Sequence, residues 1–111
     1  MSETALQNKI RLAINAPHVR MFRNNIGMLN GVQFGLCKGS SDLIGFTSKT
    51  ITADDVGKQV AIFTAIEVKT PTGRISKEQA NFISLVNRFG GIGAVARSVD
   101  DAIQILKDGT K

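Results

Sequence analysis

The sequence predicts a mixed α/β fold, a central mixed sheet flanked by helices in the order αβββαβα, within one domain spanning residues 1–111. Three observations carry that expectation. Apolar residues recur at helical spacing near both ends and again in residues 76–89, whereas residues 60–68 form an almost unbroken apolar run. No repeat, linker or low-complexity segment divides the chain. Its 111 residues, 42% of them apolar, suffice for one continuous core.

Taken in order, Leu6, Ile10, Ala13 and Ile14 follow Ser2, a candidate N-cap, so residues 3–16 read as an amphipathic helix ended by Pro17. Residues 19–26, Val-Arg-Met-Phe-Arg-Asn-Asn-Ile, read as a strand, and residues 27–39, punctuated by Gly27, Gly31, Gly35 and Gly39, as a loop. Leu43, Ile44 and Phe46 make a short second strand. The run Val-Ala-Ile-Phe-Thr-Ala-Ile-Glu-Val at 60–68 is the third, its middle expected to be buried on both faces. Pro71-Thr72-Gly73 turns the chain. Ser76 opens a helix with Phe82, Ile83, Val86 and Phe89 on one stripe, and Gly90 and Gly91 stop it. Residues 92–96 form a last strand, and Ser98 caps a helix carrying Ala102, Ile103 and Leu106.

Composition narrows the function classes. A single cysteine, Cys37, excludes an internal disulfide and a cysteine-rich zinc site, which points to a reducing compartment; it reads as a half-buried small residue. No segment approaches the roughly 20 apolar residues that cross a bilayer, and Met-Ser-Glu-Thr does not open a signal peptide, so the expectation is a soluble, cytoplasmic protein without a membrane partner. Fourteen Lys and Arg against nine Asp and Glu leave a formal charge of +5, which favours a polyanion. With no Trp, no Tyr and six Phe, the chain lacks stacking platforms for single strands, and duplex or branched DNA gripped by phosphate fits better.

Glu67 and Lys69, two positions apart on a strand, leave the same face. If residues 43–46 and 60–68 form a hairpin, Asp42 and Glu67 are equidistant from its midpoint near residues 54 and 55 and converge at one end. Two neighbouring carboxylates repel unless a proton or cation lies between them. Oxygen ligands without His or Cys select Mg²⁺ or Mn²⁺ and leave room for water and a phosphate oxygen. Such an ion would acidify the attacking water, while Lys69 orients that water or offsets charge on the phosphorane. An isolated Glu-x-Lys is more often a solvated surface pair. Here the pair ends a strand too apolar for an exposed edge, and Asp42 follows Gly39-Ser40-Ser41, which lets backbone and substrate come close.

Gly39-Ser40-Ser41-Asp42-Leu43-Ile44-Gly45, then Ile66-Glu67-Val68-Lys69, then Gln79 with Phe82, resemble the virus-type replication-repair nuclease (VRR-NUC) domain of the PD-(D/E)xK superfamily. The likeness runs from Glu3 to Leu106. It implies a restriction-endonuclease-like core in which Asp42, Glu67 and the Val68 carbonyl ligate the metal and Lys69 is the catalytic lysine. It also implies that Gln79 supports the site from its helix and that Glu3 reaches it from the first helix. The superfamily's proline before the Asp is Ser41 here, a departure this family tolerates.

Other residues carry plainer readings beside their functional ones. Gln79 fits a capping box with Ser76, and Glu3 is an ordinary first-turn acid. His18, the only histidine, has no matching base or nucleophile and reads as structural or surface. Gly90-Gly91-Ile92-Gly93 follows a helix and precedes a strand, the wrong order for a phosphate loop. Arg20, Arg23, Lys38, Arg74, Lys77 and Arg88 are candidates for phosphate contacts, with Arg74 and Lys77 foremost because they follow Glu67 and Lys69 closely.

The resemblance to small phage-type members implies a Mg²⁺-dependent endonuclease of branched DNA that resolves four-way (Holliday) junctions in DNA repair, in a bacterial or phage-infected cell. The competing readings are a nuclease of flap, duplex or single-stranded DNA, and a non-catalytic DNA-binding module of the same fold. Resolving a junction opens two symmetric strands, which calls for a homodimer. Met28, Leu29, Val32, Phe34 and Leu36 are the expected interface, unless they cover the monomer's own core.

Overall fold

The computed structural model describes residues 2–110. They form two compact units that divide between Lys49 and Thr50.

In the first unit, helix α1 (Glu3–Ile14) is capped by Ser2, whose Oγ accepts the Ala5 N–H at 3.1 Å. Glu3 lies in its first turn and Arg11 in its last, each placed favourably for the helix dipole. The helix stops at Ile14 rather than residue 16. Asn15 is already extended (φ −62°, ψ 130°), and Ala16, directly before Pro17, is sterically biased against helix. Strand β1 (Val19–Arg23) follows, ending three residues earlier than expected.

Residues 27–39 are not wholly loop. Strands β2 (Gly27–Leu29) and β3 (Val32–Phe34) pair antiparallel around Asn30-Gly31, whose φ values of +52° and +77° make the mirror-image turn that matches strand twist. The signal stood in the sequence as Leu-Asn-Gly-Val, hidden among evenly spaced glycines. Strand β4 (Leu43–Thr47) then returns to pair antiparallel with β1, from Val19 opposite Thr47 to Arg23 opposite Leu43. Gly45 permits the close approach: a Cβ there would collide with the Arg20 carbonyl oxygen. Phe22 and Phe46, diagonal neighbours on this ladder, bring their rings to 6.0 Å at a 55° tilt.

The second unit opens with a short 3-10 turn, Ala53–Asp55, in which buried Asp55 accepts the Thr52 N–H at 3.0 Å and pairs with Lys58 at 3.3 Å. Strand β5 (Thr64–Val68), helix α2 (Lys77–Arg88) and strand β6 (Ile92–Ala96) form a β-α-β unit. Its strands run parallel, from Thr64 beside Ile92 to Val68 beside Ala96. Parallel neighbours need a crossover, and α2 supplies it. Val86 (1% exposed), Ile92 and Ala96 are the buried apolar residues of this unit, Val86 lying close to Gly93 and the Ile92 side chain close to Gly109. Asn87 fastens helix to strand, accepting the Gly93 N–H at 2.8 Å and donating to the Gly93 carbonyl at 2.9 Å. Gly90, at φ +93°, ends α2. Helix α3 (Val99–Gly109) is capped by Ser98, whose Oγ accepts the Asp101 N–H at 3.0 Å.

Two expectations about the sheet change. The run at 60–68 becomes a strand only from Thr64, and Val60 and Ile62 are 58% and 41% exposed, so the segment is not buried on both faces. The hairpin between the second and third expected strands does not form: β4 takes β1 as partner and β5 takes β6. The close contact at Gly45 and the amphipathic crossover α2 each provide a ladder that a long 43–68 hairpin would have to displace. In place of one mixed central sheet, the described residues form three two-stranded ladders, two antiparallel and one parallel.

Candidate active site

The C-terminal end of β5 carries Glu67, and Lys69 follows the strand directly. Glu67 and Lys69 emerge on one side, as residues two apart on a strand must. Their charged atoms, Lys69 Nζ and Glu67 Oε1, lie 3.7 Å apart, an ion pair too long for a direct hydrogen bond. The side chains are 22% and 32% exposed, respectively, half-sheltered yet open to a ligand. Lys69 is held through its backbone as well, its N–H donating to the Ala96 carbonyl at 3.1 Å just beyond the β5–β6 ladder.

Gln79 hydrogen-bonds to both Ser76 and Glu67. Its Oε1 accepts the Ser76 N–H at 2.9 Å while Ser76 Oγ accepts the Gln79 N–H at 3.1 Å, closing the capping box of α2. Its Nε2 donates to Glu67 Oε1 at 2.8 Å. One amide therefore starts the helix and orients the carboxylate. Beside it, Ala65, Ile66, Glu67, Glu78, Gln79, Phe82 and Ile83 line a cleft of about 410 Å³. Glu78, in the first turn of α2, was not singled out by the sequence.

The first unit holds Asp42, Glu3 and Lys38. Asp42 directly precedes β4 and is exposed; its carbonyl accepts the Asn24 N–H at 2.8 Å. The Asn24 side chain organises the approach to it, donating to Ser40 Oγ at 2.7 Å and the Ser41 carbonyl at 2.9 Å and accepting the Leu36 N–H at 3.0 Å. Sequence reasoning missed this role, because Asn24 read as an ordinary strand residue. Glu3 is exposed in the first turn of α1, and Lys38 is exposed on the loop before Asp42. Cys37, expected half-buried, is exposed, since the chain there is a surface turn closed by Ser40 on the Cys37 carbonyl.

Among the cationic candidates, Arg74 and Lys77 are exposed, on the turn after Lys69 and at the first residue of α2. Arg20 instead turns its guanidinium onto backbone, donating to the Ala16 and Val19 carbonyls at 3.3 and 3.2 Å.

The donor chemistry around Glu67 fits a hard divalent cation. Gln79 and Lys69 both engage Oε1, while Oε2 accepts no hydrogen bond among the described residues. No three of His, Cys, Asp and Glu cluster among the described residues as a ready-made shell. A carboxylate oxygen is the kind of donor a hard divalent cation takes, and such an ion keeps several waters beside it.

No curated protein and no solved structure matches the chain. The model of the VRR-NUC domain matches residues 6–100, a span that includes Asp42, Glu67, Val68, Lys69 and Gln79. On that match the chain belongs to the VRR-NUC family, and this domain implies a nuclease of the PD-(D/E)xK type.

Proposed function

We propose that the protein is a Mg²⁺-dependent, structure-specific DNA endonuclease that hydrolyses phosphodiester bonds and resolves four-way junctions as a homodimer. The observation that carries this reading is the Glu67 carboxylate, oriented by Gln79 at 2.8 Å and accompanied by Lys69 at 3.7 Å, within a chain of the VRR-NUC family. Glu67, Asp42 and the Val68 carbonyl are the proposed ligands, and Mn²⁺ substitutes for Mg²⁺. When bound, the ion supplies Lewis acidity at the scissile phosphate and an attacking water of lowered pKa. Gln79 holds Glu67 Oε1 so that Oε2 stays available. The Lys69 ammonium orients the water and offsets negative charge on the phosphate as it becomes pentacovalent. Arg74, Lys77 and Lys38 hold DNA by its phosphates, and Glu3 assists from α1.

A basic chain of charge +5 supports the nucleic-acid partner, and a half-sheltered carboxylate at Glu67 would serve a plain phosphate binder poorly. The family match crosses from the first unit to the second, which supports reading both as one catalytic domain. The homodimer is supported by the β2–β3 hairpin and its flank, where Met28, Leu29, Val32, Phe34 and Leu36 are all exposed apolar residues.

Matched four-way junction, flap and linear DNA, each incubated with Mg²⁺, with Ca²⁺ and with excess EDTA, test the proposal. Paired symmetric nicks in the junction with Mg²⁺ alone are expected. Equal cutting of all three substrates would remove the junction specificity, and full activity in EDTA would remove the metal.

A further inference from the structure

We infer that Arg97 is a positioning residue for the site: its guanidinium cross-braces the turn that leaves Lys69 and carries Arg74. The inference rests on the nuclease reading above for what the turn does, and on hydrogen bonds within the second unit for how it is held.

Three bonds define the brace. Arg97 Nη1 donates to the Thr70 carbonyl at 2.7 Å and to the Gly73 carbonyl at 2.7 Å, with a longer contact of 3.5 Å to the Pro71 carbonyl. Thr70 and Gly73 are the first and last residues of the turn, which is closed by the Gly73 N–H on the Thr70 carbonyl at 3.1 Å. One cationic nitrogen therefore spans both ends of a surface turn that is otherwise closed, among the described residues, by one neutral hydrogen bond. Charge-assisted bonds of this length are about twice as strong as neutral ones. Arg97 is itself anchored at the end of β6, its own N–H donating to Asp101 Oδ2 at 2.9 Å in the first turn of α3.

The placement explains what the brace does. Lys69 is tied to Ala96 through its backbone, and Arg97 is the next residue after Ala96. The neighbouring strand thus fixes the Lys69 backbone with one residue and its outgoing chain with the following one. Downstream, the chain is caught again at Ser76 by Gln79, the residue that also holds Glu67. The segment between Lys69 and Ser76 hangs between these two anchors, and Arg97 is the side chain that stiffens its first half. Without it, Lys69 can drift relative to Glu67. Misplacement of an ångström in a catalytic group is enough to slow a reaction by orders of magnitude.

The test compares wild type, Arg97→Gln and Arg97→Lys by single-turnover cleavage over a range of enzyme concentrations, with DNA binding in Ca²⁺ at several salt concentrations and amide exchange at Gly73. The glutamine variant should cut roughly ten- to hundredfold more slowly at saturation, the range seen when supporting hydrogen bonds are lost. Its Gly73 amide should exchange faster, while its DNA affinity and the salt slope of that affinity stay within about twofold of wild type. The lysine variant, keeping a charged donor, should recover part of the rate. A flatter salt slope with an unchanged saturating rate would make Arg97 a phosphate contact and overturn the inference. So would unchanged exchange at Gly73, or a lower melting temperature with a wild-type rate. A wild-type chain that cuts none of the DNAs defeats the nuclease reading instead, and the Gly73 exchange still decides whether the brace exists.

Discussion

The side chain of Gln79 shows how one residue can satisfy a local rule and a distant partner together. Its carbonyl oxygen completes the capping box at Ser76 and its amide nitrogen reaches Glu67, twelve positions back in the chain. The two roles separate by mutation. Ser76→Ala removes the hydroxyl that caps α2 without touching Glu67, and should cost about 1 kcal/mol of stability in denaturant titration with a near-normal cleavage rate. Gln79→Ala loses the cap and the carboxylate's support, and should add to a similar stability loss a ten- to hundredfold slower cut. Equal rates in the two variants would reduce Gln79 to a capping residue. Asp42→Asn and Lys69→Ala address the proposed chemistry itself. Both side chains lie outside the cores of their units, so each variant should abolish cutting while its circular dichroism and its DNA binding in Ca²⁺ match wild type; retained turnover in either would defeat the assignment.

At the scale of elements, local signals and ladder partners behaved differently. Each of the three α-helices among the described residues starts after a serine whose hydroxyl accepts a backbone N–H three residues on: Ser2, Ser76 and Ser98. Strand partners were not marked, and the β1–β4 ladder rests on Gly45, where any Cβ meets the Arg20 carbonyl. Gly45→Ala should therefore destabilise the first unit by about 1–3 kcal/mol or more, because a strand edge in register cannot retreat from one added methyl. Denaturant unfolding of this variant beside wild type measures the loss, and an unchanged midpoint would show that the two strands can part without cost. The β2–β3 hairpin was legible in principle, since Asn30-Gly31 between apolar residues is the strongest short hairpin signal, but the regular glycines around it read as a loop.

For the whole molecule, the proposed single domain and homodimer make separate demands. One cooperative unfolding transition, coincident by fluorescence-independent probes such as circular dichroism and calorimetry, is expected if the two units fold together; two transitions dividing near Lys49 would refute the single domain. Sedimentation at assay concentrations should show a dimer that Leu29→Asp with Val32→Asp disrupts, with junction cutting reduced from paired to single nicks. A wild-type monomer that makes unpaired nicks would overturn the homodimer. By itself the sequence determined where the helices start, their serine caps and the shared side of Glu67 and Lys69, because periodicity, capping and strand alternation act over a few residues and are written where they act, whereas Gln79 was tied to Glu67 only through the family resemblance. It also carried the family through motifs whose residues stand close in the chain. Only the tertiary structure decided that β4 pairs with β1, that β5 pairs with β6, and that Arg97 grips the turn beginning at Thr70. Those contacts join backbone groups far apart in the chain, and a carbonyl or a ladder edge carries no side-chain signature of the partner it will meet.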